Sequence, residues 1–300
     1  MFTPQDQNRP LAIGLMLCAA ACIAVTTLLA KGLGTGRLGD WDLGPPLPAL
    51  QISHGRFLFA FIAIATVSMV LRLRPRAIHW RLHIARTSLG WAGVTLMFAS
   101  VAFIPMADAT AISFLNPVFC MIFAIPLLGE KVGPVRWGAA AIALLGALIL
   151  LRPTADAFQP AALLALSAAL IMGLEIILIK KLSGREPPLQ ILAINNAIGV
   201  CIASLAVMWV WQAPTPAQWI ALATIGGAMA TAQACFVNAM ARAEASFITP
   251  FSYATLIFAA TYDGFLYQIR PDGTTILGCG VILIGAALLA WREARLKSHT

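Results

Sequence analysis

Uninterrupted runs of about twenty apolar residues recur along this chain, and they decide what it can fold into. At roughly 1.5 Å of rise per helical residue, such a run is about 30 Å long, the thickness of a bilayer's hydrocarbon core. Hydrocarbon offers the backbone no water to bond with, so the runs are expected to be helices. Composition points the same way: 60% of the 300 residues are hydrophobic and 11% are charged, where soluble domains carry roughly a quarter charged residues.

Polar punctuation separates ten candidate spans, at 11–31, 47–71, 84–103, 106–128, 133–151, 160–182, 189–211, 216–238, 246–268 and 272–291. Only Ile104-Pro105 divides the third from the fourth, which predicts a tight turn at the proline. Basic residues test the count, because cytoplasmic loops of membrane proteins carry the excess of Lys and Arg. With the N-terminus inside, the inner side holds Arg9, Arg72, Arg74, Arg76, Arg81, Arg86, Lys131, Arg136, Lys180, Lys181, Arg185, Arg242, Arg292, Arg295 and Lys297. The outer side holds only Lys31, Arg37, Arg152 and Arg270. Merging spans three and four would move Arg292 and Arg295 outside, so ten spans with both termini cytoplasmic is the expectation.

The net charge of +8 then sits at helix ends, where it orients the protein against anionic lipid. The lipid bilayer is an expected partner and nucleic acid is not. Cys18, Cys22, Cys120, Cys201, Cys235 and Cys279 all fall inside spans as small, polarizable packing residues. Neither a disulfide framework, a metal nor another cofactor is implied. The first run reads as a retained span rather than a cleaved signal peptide.

The chain also repeats itself. Ala107-Asp108-Ala109-Thr110-Ala111-Ile112-Ser113 returns as Ala243-Glu244-Ala245-Ser246-Phe247-Ile248-Thr249, and Gln51 finds a counterpart in Gln190. Ala143-Leu144-Leu145-Gly146-Ala147-Leu148 matches Ile282-Leu283-Ile284-Gly285-Ala286-Ala287. Two halves follow, 1–151 and 152–300, with five spans each. Five is odd, so the second copy enters the membrane in the opposite sense. The expected fold is an all-α integral membrane protein of ten transmembrane helices arranged as two inverted five-helix repeats. Inverted repeats recur in secondary transporters, where rocking of one half on the other exposes a midplane site to each side in turn.

Two motifs carry a resemblance to a known family. They are Ala107-Asp108-Ala109-Thr110 running on to Leu115-Asn116-Pro117-Val118-Phe119, and Leu128-Gly129-Glu130-Lys131 before Pro134 and a glycine-containing helix. With these the chain resembles the EamA domains of the drug/metabolite transporter superfamily. The second half departs from the pattern, with Tyr267-Gln268-Ile269-Arg270 where the family often repeats a Gly-Glu pair. The resemblance implies a carrier of small metabolites in a bacterial inner membrane, among whose relatives are exporters of aromatic and other neutral amino acids.

Charged and polar groups inside spans are the candidate site. Arg56 is the one Lys or Arg well inside an expected span, and it needs either a substrate carboxylate or an internal partner. The repeat sets Asn195 opposite it. His54 lies about 200° away round the same helix, so the two cannot both face one pocket. Glu175, deep in the sixth span, is a candidate for proton coupling or for pairing with a basic residue at the inner surface. Trp91 and Thr95 share a helix face on which an aromatic or apolar substrate could stack.

Thr110, Ser113 and Asn116 form a stripe in span four that Ser246, Thr249 and Ser252 mirror in span nine. Such stripes line a wet cavity, bond back to the preceding turn, or join neighbouring helices. Gln233, Asn238 and Tyr253 complete the candidates. His79 and His83 stand four apart among arginines but lack the glutamate of a zinc helix, and Gly32-Leu33-Gly34-Thr35-Gly36 lacks the Gly-Lys ending of a phosphate loop. No nucleophile with a base, and no ATPase machinery, is legible. The expectation is a non-enzymatic secondary transporter or uniporter of a small molecule, foremost an amino-acid exporter, as a monomer or homodimer. A channel, a scaffold, or an exporter of a nucleoside, vitamin or drug are the alternatives.

Overall fold

A chain in hydrocarbon must close its backbone hydrogen bonds within each spanning segment, and in the computed structural model the apolar runs are helical. The structure describes residues 9–71, 77–128, 134–151, 159–183, 185–242, 251–252, 254–268 and 272–297. Eleven helices occur among them: α1 (Arg9–Thr35), α2 (Ala49–Val70), α3 (Trp80–Val101), α4 (Met106–Ser113), α5 (Asn116–Leu128), α6 (Pro134–Leu151), α7 (Ala162–Ser183), α8 (Pro188–Val207), α9 (Pro216–Arg242), α10 (Ala254–Leu266) and α11 (Gly273–Lys297). A ribbon of β1 (Arg37–Leu38) and β2 (Trp41–Asp42) pairs antiparallel with Arg37 opposite Asp42.

Six helical segments among the described residues are long and apolar enough to cross a membrane, with α4 and α5 taken together as one: Pro10–Thr35, Ala49–Val70, Asp108–Leu127, Ala162–Ile179, Leu189–Val207 and Pro216–Phe236. Ala254–Leu266 and Gly273–Gly285 are shorter apolar helices. The chain is a multi-pass membrane protein.

The turn expected at Pro105 is there, with the proline (φ −55°, ψ 141°) immediately before the first turn of α4. Other boundaries differ from expectation. Span 106–128 is two helices, broken at Phe114 and Leu115. Pro117 explains the break, since a proline has no N–H to give the carbonyl one turn back. The Thr110, Ser113, Asn116 stripe is therefore interrupted. Helix α3 starts earlier than the expected 84, which draws Arg81 and His83 into the helix and places Arg86 in its second turn rather than at its end. The glycines at 32–36 close α1: Gly36 takes φ 77°, where a β-carbon would lie 2.6 Å from the Gly44 carbonyl oxygen.

Helix α1 packs along α9, α2 along α8 and α9, α3 along α7, and α6 along α11, while α10 lies against α1 and α4. Between lipid-solvated helices the attraction is close packing rather than water exclusion, so small residues mark the contacts. At Gly146 on α6 a β-carbon would meet the backbone of α11, 2.7 Å from the Ile282 nitrogen and 2.8 Å from the Gly278 oxygen. Gly278 thus takes part in a close helix contact within the chain.

The end of the bundle that carries the ribbon is fastened by hydrogen bonds between distant segments. Gln51 Nε2 donates to the Gln212 carbonyl at 2.6 Å, and Gln212 N–H returns a bond to Gln51 Oε1 at 3.0 Å. Thr215 Oγ1 donates to the Leu43 carbonyl at 2.9 Å and Gln218 Nε2 to the Pro45 carbonyl at 2.8 Å.

Candidate functional site

Arg56 stands in the second turn of α2 and is 5% exposed. A charge at membrane depth costs roughly 2.5–3.5 kcal/mol on insertion scales unless something compensates it. Its guanidinium carbon sits 4.4 Å from the Phe57 ring centre, a partial compensation. Nε and Nη1 are nevertheless buried and have no hydrogen-bond partner.

The nearby charges come from two other helices. Arg86 on α3, 6% exposed, holds Nε 3.4 Å from Glu175 Oε1 on α7. That is an ion pair without a well-aligned hydrogen bond, and Arg86 Nε is left with no hydrogen-bond acceptor. Arg56 lies within electrostatic reach of both Glu175 and Arg86. Arg86 also points Nη1 at the Ile191 carbonyl, 3.5 Å away on α8, and the adjacent Thr87 donates to Asn195 Oδ1 at 3.1 Å. Arg56, by its electrostatic reach, and Asn195, through Thr87, thus belong to one cluster of α2, α3, α7 and α8, a cluster with two guanidiniums and one carboxylate. Gly90 makes room for the carboxylate, for a β-carbon there would come within 2.7 Å of Glu175 Oε1.

The remaining candidates are distributed differently. His54 turns away from Arg56, bonding Ser204 Oγ through Nε2 at 3.1 Å and meeting Trp211 edge-on. Trp91 Nε1 is buried with no partner, whereas Thr95 and Ser113 bond back to the Trp91 and Thr110 carbonyls at 2.8 and 2.7 Å. Gln233 Oε1 is buried without a partner. Asn238 is exposed, donates to the Ala234 carbonyl at 2.9 Å, and lines a cavity of about 500 Å³ between α2, α8 and α9 with Ile64, Leu192 and Thr231. Asn116 opens α5, its carbonyl 2.9 Å from where a β-carbon on Gly173 would lie. Ser252 is half-buried and its carbonyl accepts from Thr255 Oγ1 at 2.8 Å. Tyr253, like Ser246, Thr249 and the Glu130 motif, lies outside the described residues.

Several charged clusters were not anticipated. Arg86, expected at an inner surface, is inside α3, and Lys31, expected as an outer flank, is buried. Lys31 Nζ pairs with Asp263 of α10, whose other oxygen accepts the Met106 N–H at 2.6 Å and so caps α4. Asp108 accepts from Thr275 Oγ1 at 2.8 Å. A carboxylate inside an apolar run, as at Asp263, was the available signal.

At the opposite end, His79 and His83 do not lie on a bare basic surface. Glu186 reaches them from the α7–α8 turn, accepting from the His79 N–H at 2.8 Å and from Gln190 Nε2 at 2.7 Å. It also bonds His79 Nδ1 at 3.0 Å and His83 Nε2 at 2.9 Å. Burial pushes the Glu186 carboxyl up, but the His79 backbone N–H and the His83, His79 and Gln190 side chains outweigh it and hold the group at about 2. Among the described residues, no His, Cys, Asp and Glu group could hold a metal ion.

A sequence model of the EamA-like transporter family matches residues 10–152 and again 159–291. The chain belongs to the EamA-like transporter family. The riboflavin transporter of Vibrio cholerae is 28% identical over 255 residues, 83% of this chain and 85% of that protein. The S-adenosylmethionine uptake transporter of Rickettsia prowazekii is 23% identical over 259 residues, 85% of this chain and 87% of that protein. A solved crystal structure, 19% identical, covers 97% of this EamA-like chain and 100% of its own with a TM-score of 0.66, and so shares the fold. This family membership makes the chain a small-metabolite transporter of the drug/metabolite superfamily.

Proposed function

We propose that this EamA-like protein is a secondary transporter with ten spans in two inverted halves, divided near residue 151, and both termini cytoplasmic in a bacterial inner membrane. Its substrate is a small organic metabolite, foremost a neutral or aromatic amino acid moving outward. The observation that carries the reading is the meeting of Arg56 and Arg86 with Glu175 inside the membrane, where helices before residue 152 adjoin helices after it.

Two features support it. With α4 and α5 counted as one span, moving every span to its counterpart five places on turns the α1–α9 contact into the α7–α3 contact. It also returns α2–α8 and α6–α11 to themselves. Such a bundle can rock about its shared axis and open at either end. Its two ends, moreover, are held by different bonds: Lys31–Asp263 at the ribbon end and Glu186 with His79 and His83 at the other. Alternating access requires that each set break in turn while the charged cluster stays between them. Glu175 is the candidate for proton coupling, and Trp91, Gln233 and Asn195 are candidates to hold the rest of the substrate.

Purified protein in liposomes, offered labelled amino acids, riboflavin and S-adenosylmethionine, tests the reading. Saturable uptake with counterflow is expected for one class, and the relatives make riboflavin the second to try. Flux that rises linearly with concentration would replace the carrier with a channel.

A further inference from the structure

Among the described residues, the partners of the buried cations single out one group. Arg86 has its counter-ion in Glu175 at 3.4 Å. At the ribbon end Lys31 has Asp263. Arg56 is the surplus: 5% exposed, its Nε and Nη1 buried and donating to nothing, with Glu175 already engaged by Arg86. A buried guanidinium retains its charge under all ordinary conditions, so it cannot relieve its position by losing a proton. The cluster of two cations and one anion is stable in low dielectric only with a further anion, or with water that the substrate displaces.

We propose that Arg56 is the anion receptor of the transport site, and that the substrate is an organic acid or zwitterion held there by a carboxylate or a phosphate. This rests on the carrier reading above. While it is ionised, Glu175 serves a different purpose: paired with Arg86 at 3.4 Å and seated against Gly90, it keeps Arg86 from competing for the substrate's anion. The guanidinium's fork suits either acid, since both present two oxygens at the spacing of two N–H groups. Phe57, with its ring 4.4 Å from the guanidinium carbon, braces Arg56 from one side. Phe57 is itself wedged against Gly199 of α8, where a β-carbon would lie 2.2 Å from the ring. The receptor is thereby set against a helix from each half.

The test uses matched pairs that differ only in the anionic group: leucine against leucinamide, phenylalanine against phenylalaninamide, and riboflavin 5′-phosphate against riboflavin. Each is measured for saturable flux in liposomes and for ligand-induced thermal stabilisation in detergent. The wild-type protein should prefer the acid by at least about tenfold in KM and in apparent affinity in one pair, and the pair tells carboxylate from phosphate. Arg56→Gln leaves a balanced Arg86–Glu175 pair and is therefore expected to fold. It should bring acid and neutral compound to equal, weak affinity, and Arg56→Lys should restore part of the preference. Equal affinity of wild type for acid and neutral compound overturns the assignment, as does an Arg56→Gln variant that weakens both members of a pair alike, or the absence of binding by every pair. Binding of the acid without saturable flux overturns the carrier reading alone and leaves the receptor in place.

Discussion

Gly90 faces Glu175 so closely that a β-carbon on residue 90 would stand 2.7 Å from the carboxylate oxygen. Alanine is the better helix former by roughly 0.5–1 kcal/mol, so Gly90→Ala would stabilise α3 were the space open. Here it must push the carboxylate off Arg86. Transport by Gly90→Ala is expected to fall at least about tenfold, while Gly227→Ala, where nothing lies within 4 Å, should leave the rate unchanged. Initial rates in liposomes at matched protein density decide between them.

Asp263 gives one oxygen to Lys31 and the other to the Met106 N–H. Removing one partner of a buried pair strands the other, at a cost of about 3–5 kcal/mol. Asp263→Asn should therefore lower the melting temperature in detergent markedly, whereas the double change Lys31→Met with Asp263→Asn, which keeps an oxygen for the Met106 N–H, should recover most of the loss. A double variant no more stable than Asp263→Asn would show that packing, not stranded charge, sets the cost.

Glu186 makes stability depend on pH at the far end. Its carboxyl is held at about 2 in the folded chain, below its ordinary value of 4.5. The unfolded chain thus takes up the proton first as pH falls, and stability is lost through that window. Glu186's contribution should be complete above pH 4.5, shrink below it and vanish near pH 2. The gap in thermal stability between the protein and its Glu186→Gln variant, followed from pH 6 to pH 3, should narrow steadily below about 4.5. A gap that stays constant over that range would count against it.

Gln51 and Gln212 exchange two hydrogen bonds across the ribbon end, at 2.6 and 3.0 Å. Gln51→Ala removes both bonds, and because Gln212 is exposed water takes over its carbonyl and N–H, so the loss is the net worth of the bonds, about 0.5–1.5 kcal/mol each. Thermal unfolding in detergent should show that loss, with Gln51→Glu intermediate because it keeps only the acceptor.

Much of the fold could be read from one dimension. The apolar runs announced the helices, Pro105 the turn before α4, and the repeated Ala-Asp-Ala-Thr and Ala-Glu-Ala-Ser motifs the family. The break before Pro117 was not expected, because whether a proline kinks a helix or divides it depends on what else packs there. Arg56 was found by its position alone, being a charge in the middle of an apolar run. Its surroundings were not, since Arg86 read as an inner-surface residue at the start of its span until α3 proved to begin at Trp80.

The sequence by itself determined that this chain crosses a membrane repeatedly as helices, because hydrocarbon leaves an apolar backbone no other way to satisfy its hydrogen bonds. Which charges meet was decided only by the tertiary structure. His83 finds Glu186 across 103 residues of chain and Lys31 finds Asp263 across 232, and helical periodicity is too local to pair them. The usual inside-outside signal is also missing in lipid: exposed Leu205, Ile220, Ile257 and Phe265 are as apolar as buried Leu33, Ile52, Ile112 and Ile225. Packing between helices, not hydrophobic contrast, sets which face turns inward, and with it the place where Arg56 Nε and Nη1 are left without a hydrogen-bond acceptor.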